Sequence, residues 1–285
     1  MINQQISRLH IIDLYLQFWG KVRRQDLTKH LDIGLVTASR ILKEYAEQYP
    51  ENLVYSVRER AYVWSSTFTP QQGIAAEHAL EILAYGRQSV TLTGKRYGPV
   101  NVSFIPSLKA SLVEAVTRAM VGRHGVCICY ISGTSGASVR TVYPHAVFKS
   151  GGIWYFRAYD SKNDGFRSFR FNRVDSTPSD ELHPLTQGAY SEHDHSWNQN
   201  VILSLGPHSK HPKPDALRLD LGLVERPVSN LIANEVTAPF ILIDLRVDCS
   251  IGAEMNPYEY PLQLMNRAEL CEIEGMAIAP GFKTS

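Results

Sequence analysis

Residues 143–173 read YPHAVFKSGGIWYFRAYDSKNDGFRSFRFNR, and this stretch decides the architecture of the middle of the chain. Two strand-like runs, Ile153–Asp160 and Arg167–Val174, flank a polar turn at Ser161–Gly165. Side chains on a strand alternate between faces. Trp154, Phe156 and Ala158 therefore share one face of the first run, and Tyr155, Arg157 and Tyr159 share the other. The first face suits a core, while the second presents a guanidinium between two phenols. On the second run Arg167 and Arg173 share a parity, with Phe169 and Phe171 between them. Arginine forks beside aromatic faces suit planar anions, because a guanidinium grips phosphate bidentately and a ring stacks on a base. The same pattern also describes a half-buried antiparallel hairpin whose arginines are merely solvated.

At 285 residues the chain has room for two or three small domains, and 44% hydrophobic with 20% charged residues is ordinary for a globular protein. No apolar run approaches membrane-spanning length, and MINQQISRLH at the start lacks the apolar core of a signal peptide, so the expected location is cytoplasmic. The cysteines Cys127, Cys129, Cys249 and Cys271 form no CxxC and fit a reducing compartment; no metal or other cofactor is expected. Charge is uneven. Residues 123–174 carry eight Lys/Arg against two Asp/Glu, whereas residues 175–285 carry seven against sixteen. The basic middle can meet an anion; the acidic tail is a poor partner for DNA.

Upstream, residues 5–19 have helical apolar spacing in Leu9, Ile12, Leu16 and Trp19, with Gly20 as a stop. Arg24–Leu31 predicts a second helix, Asp32-Ile33-Gly34 a turn, and Leu35–Gln48 a third helix with Ala38, Ile41, Leu42, Tyr45 and Tyr49 inward. Two helices about a short glycine-bearing turn describe a helix-turn-helix, and Asn52–Trp64 describes a hairpin with Arg58 and Arg60 at its tip, a wing. The third helix shows Thr37, Ser39, Arg40 and Lys43 with no acid before Glu44, a face suited to DNA, while Arg58 and Arg60 suit its phosphates. An ordinary three-helix domain with a solvated face is the bland alternative.

Residues 70–86 and 106–120 predict helices about a polar connector at 87–105. Val126–Ile131 and Arg140–Phe148 predict strands joined by SGTSGAS, where Ser132 faces a pocket or closes a turn; Gly133-Thr134-Ser135-Gly136-Ala137 lacks the last glycine of a nucleophile elbow. His193, His195, His208 and His211 match no zinc spacing and read as solvated linker. Beyond them, VILSLGP at 201–207 predicts a strand, Pro214–Leu221 a helix, Phe240–Val247 a strand and Tyr260–Met265 a short apolar element.

The central stretch resembles the WYL domain: Trp154-Tyr155-Phe156 keeps an apolar third residue, with Tyr143-Pro144-His145 before it and Arg-x-Phe-Arg-x-x-Arg after it. From end to end the chain resembles the WYL repressors associated with bacterial anti-phage operons of the BREX and CBASS types. Gln25-Asp26-Leu27 and Thr37-Ala38-Ser39 resemble residues of their winged helix, whereas Gly34-Leu35 departs from the usual Ser-bearing entry. The resemblance implies a multidomain α+β protein: a winged helix-turn-helix at 1–66, a helical linker at 67–122, a small Sm-like β-barrel at 123–192 and an α/β dimerisation domain at 193–285. It implies a dimeric repressor on a pseudo-palindromic double-stranded operator, with a nucleotide or nucleic-acid-derived ligand in the barrel. The expected ligand residues are Ser132, His145, Arg157, Tyr159, Arg167 and Arg173. The rivals are an enzyme acting on nucleic acid and an accessory WYL module that activates a partner protein. The enzyme needs a carboxylate cluster, and the basic middle offers only Asp160 and Asp164.

Overall fold

A computed structural model of the chain describes residues 8–71, 74, 76–85, 107–179, 182–223, 226–273 and 275–283. It divides into two compact units, Met1–Val147 with Ile153–Ala189, and Phe148–Gly152 with Tyr190–Ser285.

The first unit begins with α1 (Arg8–Trp19), β1 (Lys21–Val22), α2 (Arg24–Leu31), α3 (Leu35–Gln48), β2 (Leu53–Ser56) and β3 (Ala61–Trp64). Asp32, in the left-handed region at φ 56°, ends α2, and Gly34 precedes α3. On α3 the buried residues are Ala38, Ile41, Leu42 and Tyr45, a stripe at helical spacing that packs on α1 and α2. Tyr49 is only half-buried. A polar network crosses this core. The Tyr45 hydroxyl donates to buried Asp13 of α1 and accepts from Asn52 Nδ2 at 3.0 Å, and Asn52 in turn bonds both backbone groups of Thr69. The polar atoms of this network are partnered, which offsets the cost of taking them out of water and fixes the geometry of the domain. The strands form a three-stranded sheet in the order β1-β3-β2.

The first helix serves two cores. Ile11, Ile12 and Leu16 lie in the winged-helix core, while Leu14, Phe18 and Trp19 lie in a second core with α4 (Ala76–Tyr85), α5 (Ala110–Gly122) and the central sheet. Apolar residues on two sides of the helix, with Asp13 and Gln17 buried among them, let it serve both. The last carbonyls of α1, which have no partner in their own helix, are met from α5: Thr117 Oγ1 donates to Phe18 O at 2.7 Å and Arg118 Nε to Gln17 O at 2.7 Å. The helix expected at 70–86 is described over 76–85, the one expected at 106–120 runs from Ala110 to Gly122, and the connector at 87–105 lies outside the described residues.

The central sheet consists of β4 (His124–Ser132), β5 (Gly136–Ser150), β6 (Ile153–Asp160), β7 (Gly165–Arg170), β8 (Val174–Ser176) and β9 (His183–Pro184). Its order is β7-β6-β5-β4-β8, with β9 against β4. The run expected as one strand over Arg167–Val174 is in fact broken. The β7 strand ends at Arg170, and a 3₁₀ turn, Phe171–Arg173, carries the chain to β8 at the other end of the order. Four strand spacings are about 19 Å in a flat sheet, and four residues reach at most about 14 Å. The sheet must therefore roll strongly. Phe171 turns inward onto Phe156, with ring centroids 4.9 Å apart, which is why an apolar residue there did not mean more strand.

The second unit contains α6 (His195–Asn198), β10 (Asn200–Pro207), α7 (Pro214–Asp220), β11 (Ser229–Asn234), α8 (Ala238–Asp244), β12 (Val247–Asp248) and β13 (Leu262–Leu264). The sheet order is β11-β10-β13-β12, with β12 and β13 parallel. Phe148 packs on Phe240, and Ser150 Oγ and Gly151 N–H both donate to Asp244 Oδ1. The strand expected over Phe240–Val247 is instead mostly helix: Pro239 presets the first turn of α8, and a short apolar run does not distinguish the two states by period. His208, expected in solvated linker, is fully buried. Its Nδ1 accepts from Lys210 N–H at 3.1 Å, so its Nε2 donates to buried Asp248 at 3.1 Å. Burial pushes the Asp248 carboxyl up, but hydrogen bonds from Ser250, Met255 and His208 outweigh it and hold the group below its usual range.

Candidate functional site

The winged-helix surface gathers cations of two kinds. Arg40, Arg58 and Arg60 are exposed and make no ion pair among the described residues. Arg60 sits at the wing tip at φ 49°. Lys43 is exposed and pairs loosely with Glu47 one turn on, at 3.6 Å. Thr37 is half-buried, and Ser39 spends its proton on Leu35 O at 2.9 Å, leaving its hydroxyl oxygen as an acceptor. Val36 is 85% exposed at the start of α3, where a methyl group could meet a thymine methyl.

Two further arginines join this surface. A groove of about 390 Å³ between the start of α2, α3 and the wing is lined by Arg23, Arg24, Ser39, Tyr55, Arg60 and Tyr62. Arg23 is anchored, donating to Glu59 O at 3.3 Å, and Lys21 pairs with the Glu59 carboxylate at 2.9 Å, holding that group below its ordinary range. The KVRRQD run at 21–26 carried the signal, since it places two adjacent arginines at a helix start beside the wing strand.

On the central sheet the β6–β7 register decides which arginines meet. Arg157 lies opposite Ser168, Tyr159 opposite Phe166 and Tyr155 opposite Arg170. Directly paired residues share a face. Arg157 reaches Ser168 Oγ at 3.5 Å, and Arg170 lies over the Tyr155 ring at 5.4 Å. His145 packs edge-on against Phe166 at 5.6 Å, and Tyr159 against Phe166 at 5.5 Å. The Tyr159 hydroxyl donates to Asp164, which raises its pKa. His145, Arg157 and Tyr159 thus come together, joined by Arg170.

Arg167 does not join them. It pairs with Ala158, on the face of Phe156 and Phe169, and is exposed there without a partner among the described residues. Arg173 left the strand with the 3₁₀ turn, so the parity argument that grouped it with Arg167 has no strand to act on. Its guanidinium lies against Gly133, within about 3.5 Å of where a Cβ would stand. Ser132 accepts from the backbone of Thr134 and Ser135, closing a hairpin loop that Gly136 finishes at φ 73°. Ser132 and Arg173 therefore form a second group by the β4–β5 turn. Arg170 was legible from the four-residue turn at 161–164, which fixes the pairing register and sets Arg170 across from Tyr155.

The acids of this region are engaged. Asp160 is wholly buried and accepts from Arg140 Nη1 at 2.7 Å, and Asp164 receives Tyr159. Among the described residues no group of three His, Cys, Asp or Glu side chains is arranged to hold a metal ion, and no helix is long and apolar enough to cross a membrane.

Residues 4–84 match the BrxR transcriptional regulator winged helix-turn-helix domain, and residues 111–177 match the WYL domain. A DNA-binding transcriptional repressor, CapW, of Stenotrophomonas maltophilia is 30% identical over 72% of this chain and 70% of its own. The repressor of the same name in Pseudomonas aeruginosa is 27% identical over 94% of this chain and 91% of its own. Among solved structures, the proteasome accessory factor B/C of Arthrobacter aurescens aligns over 93% of this chain and 45% of its own, at 16% identity and a TM-score of 0.27, too loose a likeness to carry an argument. With both domains matched in order and a relative of this identity covered over most of its length, the chain belongs to the CapW family of transcriptional repressors.

Proposed function

We propose that this chain is a cytoplasmic, dimeric DNA-binding repressor of its own anti-phage defence operon, released or tightened by a nucleotide or nucleic-acid-derived ligand. In this reading residues 1–66 hold double-stranded DNA, 67–122 link, 123–192 form an Sm-like sensing barrel and 193–285 pair the protomers. The observation that carries it is the set of arginines lining and flanking one groove of the winged helix, Arg24, Arg40, Arg58 and Arg60, exposed and without carboxylate partners among the described residues. Cations left free by the fold are available to phosphates, and releasing counterions from DNA supplies the affinity. The start of α3, with Val36, Thr37, Arg40 and Lys43, enters the major groove, with the Ser39 hydroxyl as an acceptor. Two protomers set half-site centres about 10 bp or a multiple apart, so the operator is a pseudo-palindrome.

For the ligand, His145, Arg157, Tyr159 and Arg170 bind the anionic and aromatic parts, and Ser132 with Arg173 offers a second contact by the β4–β5 turn. Arg167 contributes only where a ligand wraps to the other face. A mobility shift with DNA from upstream of the protein's own gene tests the reading. It expects one retarded species with a two-fold footprint, weakened by Arg40→Ala; an asymmetric footprint, or undiminished affinity in that variant, overturns it.

A further inference from the structure

A second cavity of about 490 Å³ lies between the base of the wing, α5 and the start of β4, away from the arginine face of β6 and β7. Its volume falls in the range of small-molecule sites, about 300–1,000 Å³. Trp19, Trp64, Val63, Val126 and Leu182 make it largely apolar. Four permanently charged groups line it beside the His124 ring, and they cancel in pairs: Lys21 with Glu59 at 2.9 Å, and Arg118 with Glu114 at 3.7 Å. The guanidinium of Arg118 also lies 4.0 Å over the Trp64 ring. The indole N–H of Trp19, in the wall, is buried without an acceptor among the described residues. Hydroxyls of Ser111 and Thr177 stand at the lining.

We infer that this cleft is an effector site for an uncharged, planar heteroaromatic molecule of nucleoside size. A phosphate would have to shed its water with no net positive charge to receive it. A neutral ring loses little on leaving water, gains the open side of Trp64 with Val63, Val126 and Leu182, and offers acceptors to the Ser111 and Thr177 hydroxyls. The preference is thus the inverse of the one expected at Arg157 and Arg170.

The cleft also has the position of a regulator. One wall is β1, β3 and Glu59 of the wing turn; the other is α5. Arg118 bridges them, bonded to Gln17 O and stacked on Trp64. A ligand that parts the walls loosens this bridge and moves the hairpin whose tip carries Arg58 and Arg60. Coupling is reciprocal, so operator DNA must weaken the ligand by the same factor. This second half rests on the wing touching DNA; the first does not.

The test is calorimetry on the full chain with adenosine and guanosine as probes, beside their 5′-monophosphates. Saturable nucleoside binding is expected, at least tenfold tighter than that of the monophosphate at this site. Ser111→Trp, at an exposed position on α5, should fill the cleft and lower nucleoside affinity at least thirtyfold while circular dichroism is unchanged; Ala115→Leu is the milder second variant. Arg157→Ala should leave nucleoside binding intact. Saturating nucleoside should lower operator affinity at least threefold. The site is overturned if neither nucleoside binds at millimolar concentration, if both cleft variants bind as the parent does, or if Arg157→Ala abolishes binding. Nucleoside binding that leaves operator affinity unmoved overturns the coupling. A chain that shifts no operator at all refutes the repressor reading, while calorimetry still decides the cleft.

Discussion

The winged helix and the central sheet are both rich in arginine, and they hold it differently. On the winged helix Arg40, Arg58 and Arg60 extend into solvent with no acid within ion-pair distance among the described residues. On the sheet Arg140 is buried against Asp160, Arg157 touches Ser168, and Arg170 lies over Tyr155. A long arm without a partner adapts to a phosphate backbone whose position varies. An arm already fixed by a neighbour loses little entropy when a small anion arrives, which favours one shape of ligand. Partnering, more than residue type, separates these arginines, with anchored Arg23 on the winged helix and Arg167 on the sheet, unpartnered among the described residues, as the exceptions on each side.

The comparison breaks first where partnering is complete. Arg140→Ala leaves the Asp160 carboxylate buried without its cation, and chemical denaturation should show a loss of about 3–5 kcal/mol. Arg167→Ala, on an exposed arm of the same sheet, should stay within about 0.5 kcal/mol of the parent. Equal losses would show that burial does not distinguish them.

Asp248 extends the contrast to an acid in the second unit. Its folded pKa is depressed, so its stabilisation is present above the unfolded value of about 3.9 and is lost as pH falls through the folded value. Asp248→Asn should cost about 1.5–3 kcal/mol at pH 7 and flatten the acid limb of a stability–pH curve. An unchanged limb would place the acid sensitivity elsewhere.

The functional surfaces come next. Arg157→Ala and Arg170→Ala should each remove one charge-assisted contact, about 1.5–3 kcal/mol, or ten- to a hundredfold in affinity for a nucleotide ligand. Operator affinity and its salt slope should not move. Should the slope fall in these variants, the sheet would be part of the DNA surface and the division between adaptable and fixed arginines would collapse.

Arg40→Ala should cost about 1–3 kcal/mol on the operator and relax one base position, while Arg58→Ala should weaken all sequences alike and lower the salt slope by about 1. The smallest effect on folding belongs to Lys43→Ala. Its exposed pair with Glu47 is worth about 0.5 kcal/mol at most, so a melting temperature that fell by several degrees would refute the view that the pair is incidental.

The helices of the winged domain and Ile153–Asp160 were legible because one face of each is buried and the period shows. The alternation of Trp154 and Phe156 with Arg157 and Tyr159 likewise read correctly. The break after Arg170 was not legible. Phe171 continues the apolar parity of Phe169, yet it is buried by turning into a rolled sheet, and parity is silent about rolling. Arg167 was grouped with Arg157 by type, while the pairing register sets them on opposite faces. Composition hid His208 as well, because its buried partner Asp248 is forty residues away in sequence.

The shared helix α1 sets a limit on how such proteins can be cut and rejoined. Regulators of this architecture invite exchange of headpieces, with one DNA-reading domain spliced to another sensor. A splice just after the wing would carry away α1 with Leu14, Phe18 and Trp19 stripped of their packing, and with the carbonyls of Gln17 and Phe18 deprived of Arg118 and Thr117. The transferable cassette therefore includes α4, α5 and the central sheet that closes the same core, and a chimera that keeps less of the chain should be sticky and poorly folded however well its recognition helix is matched to its operator.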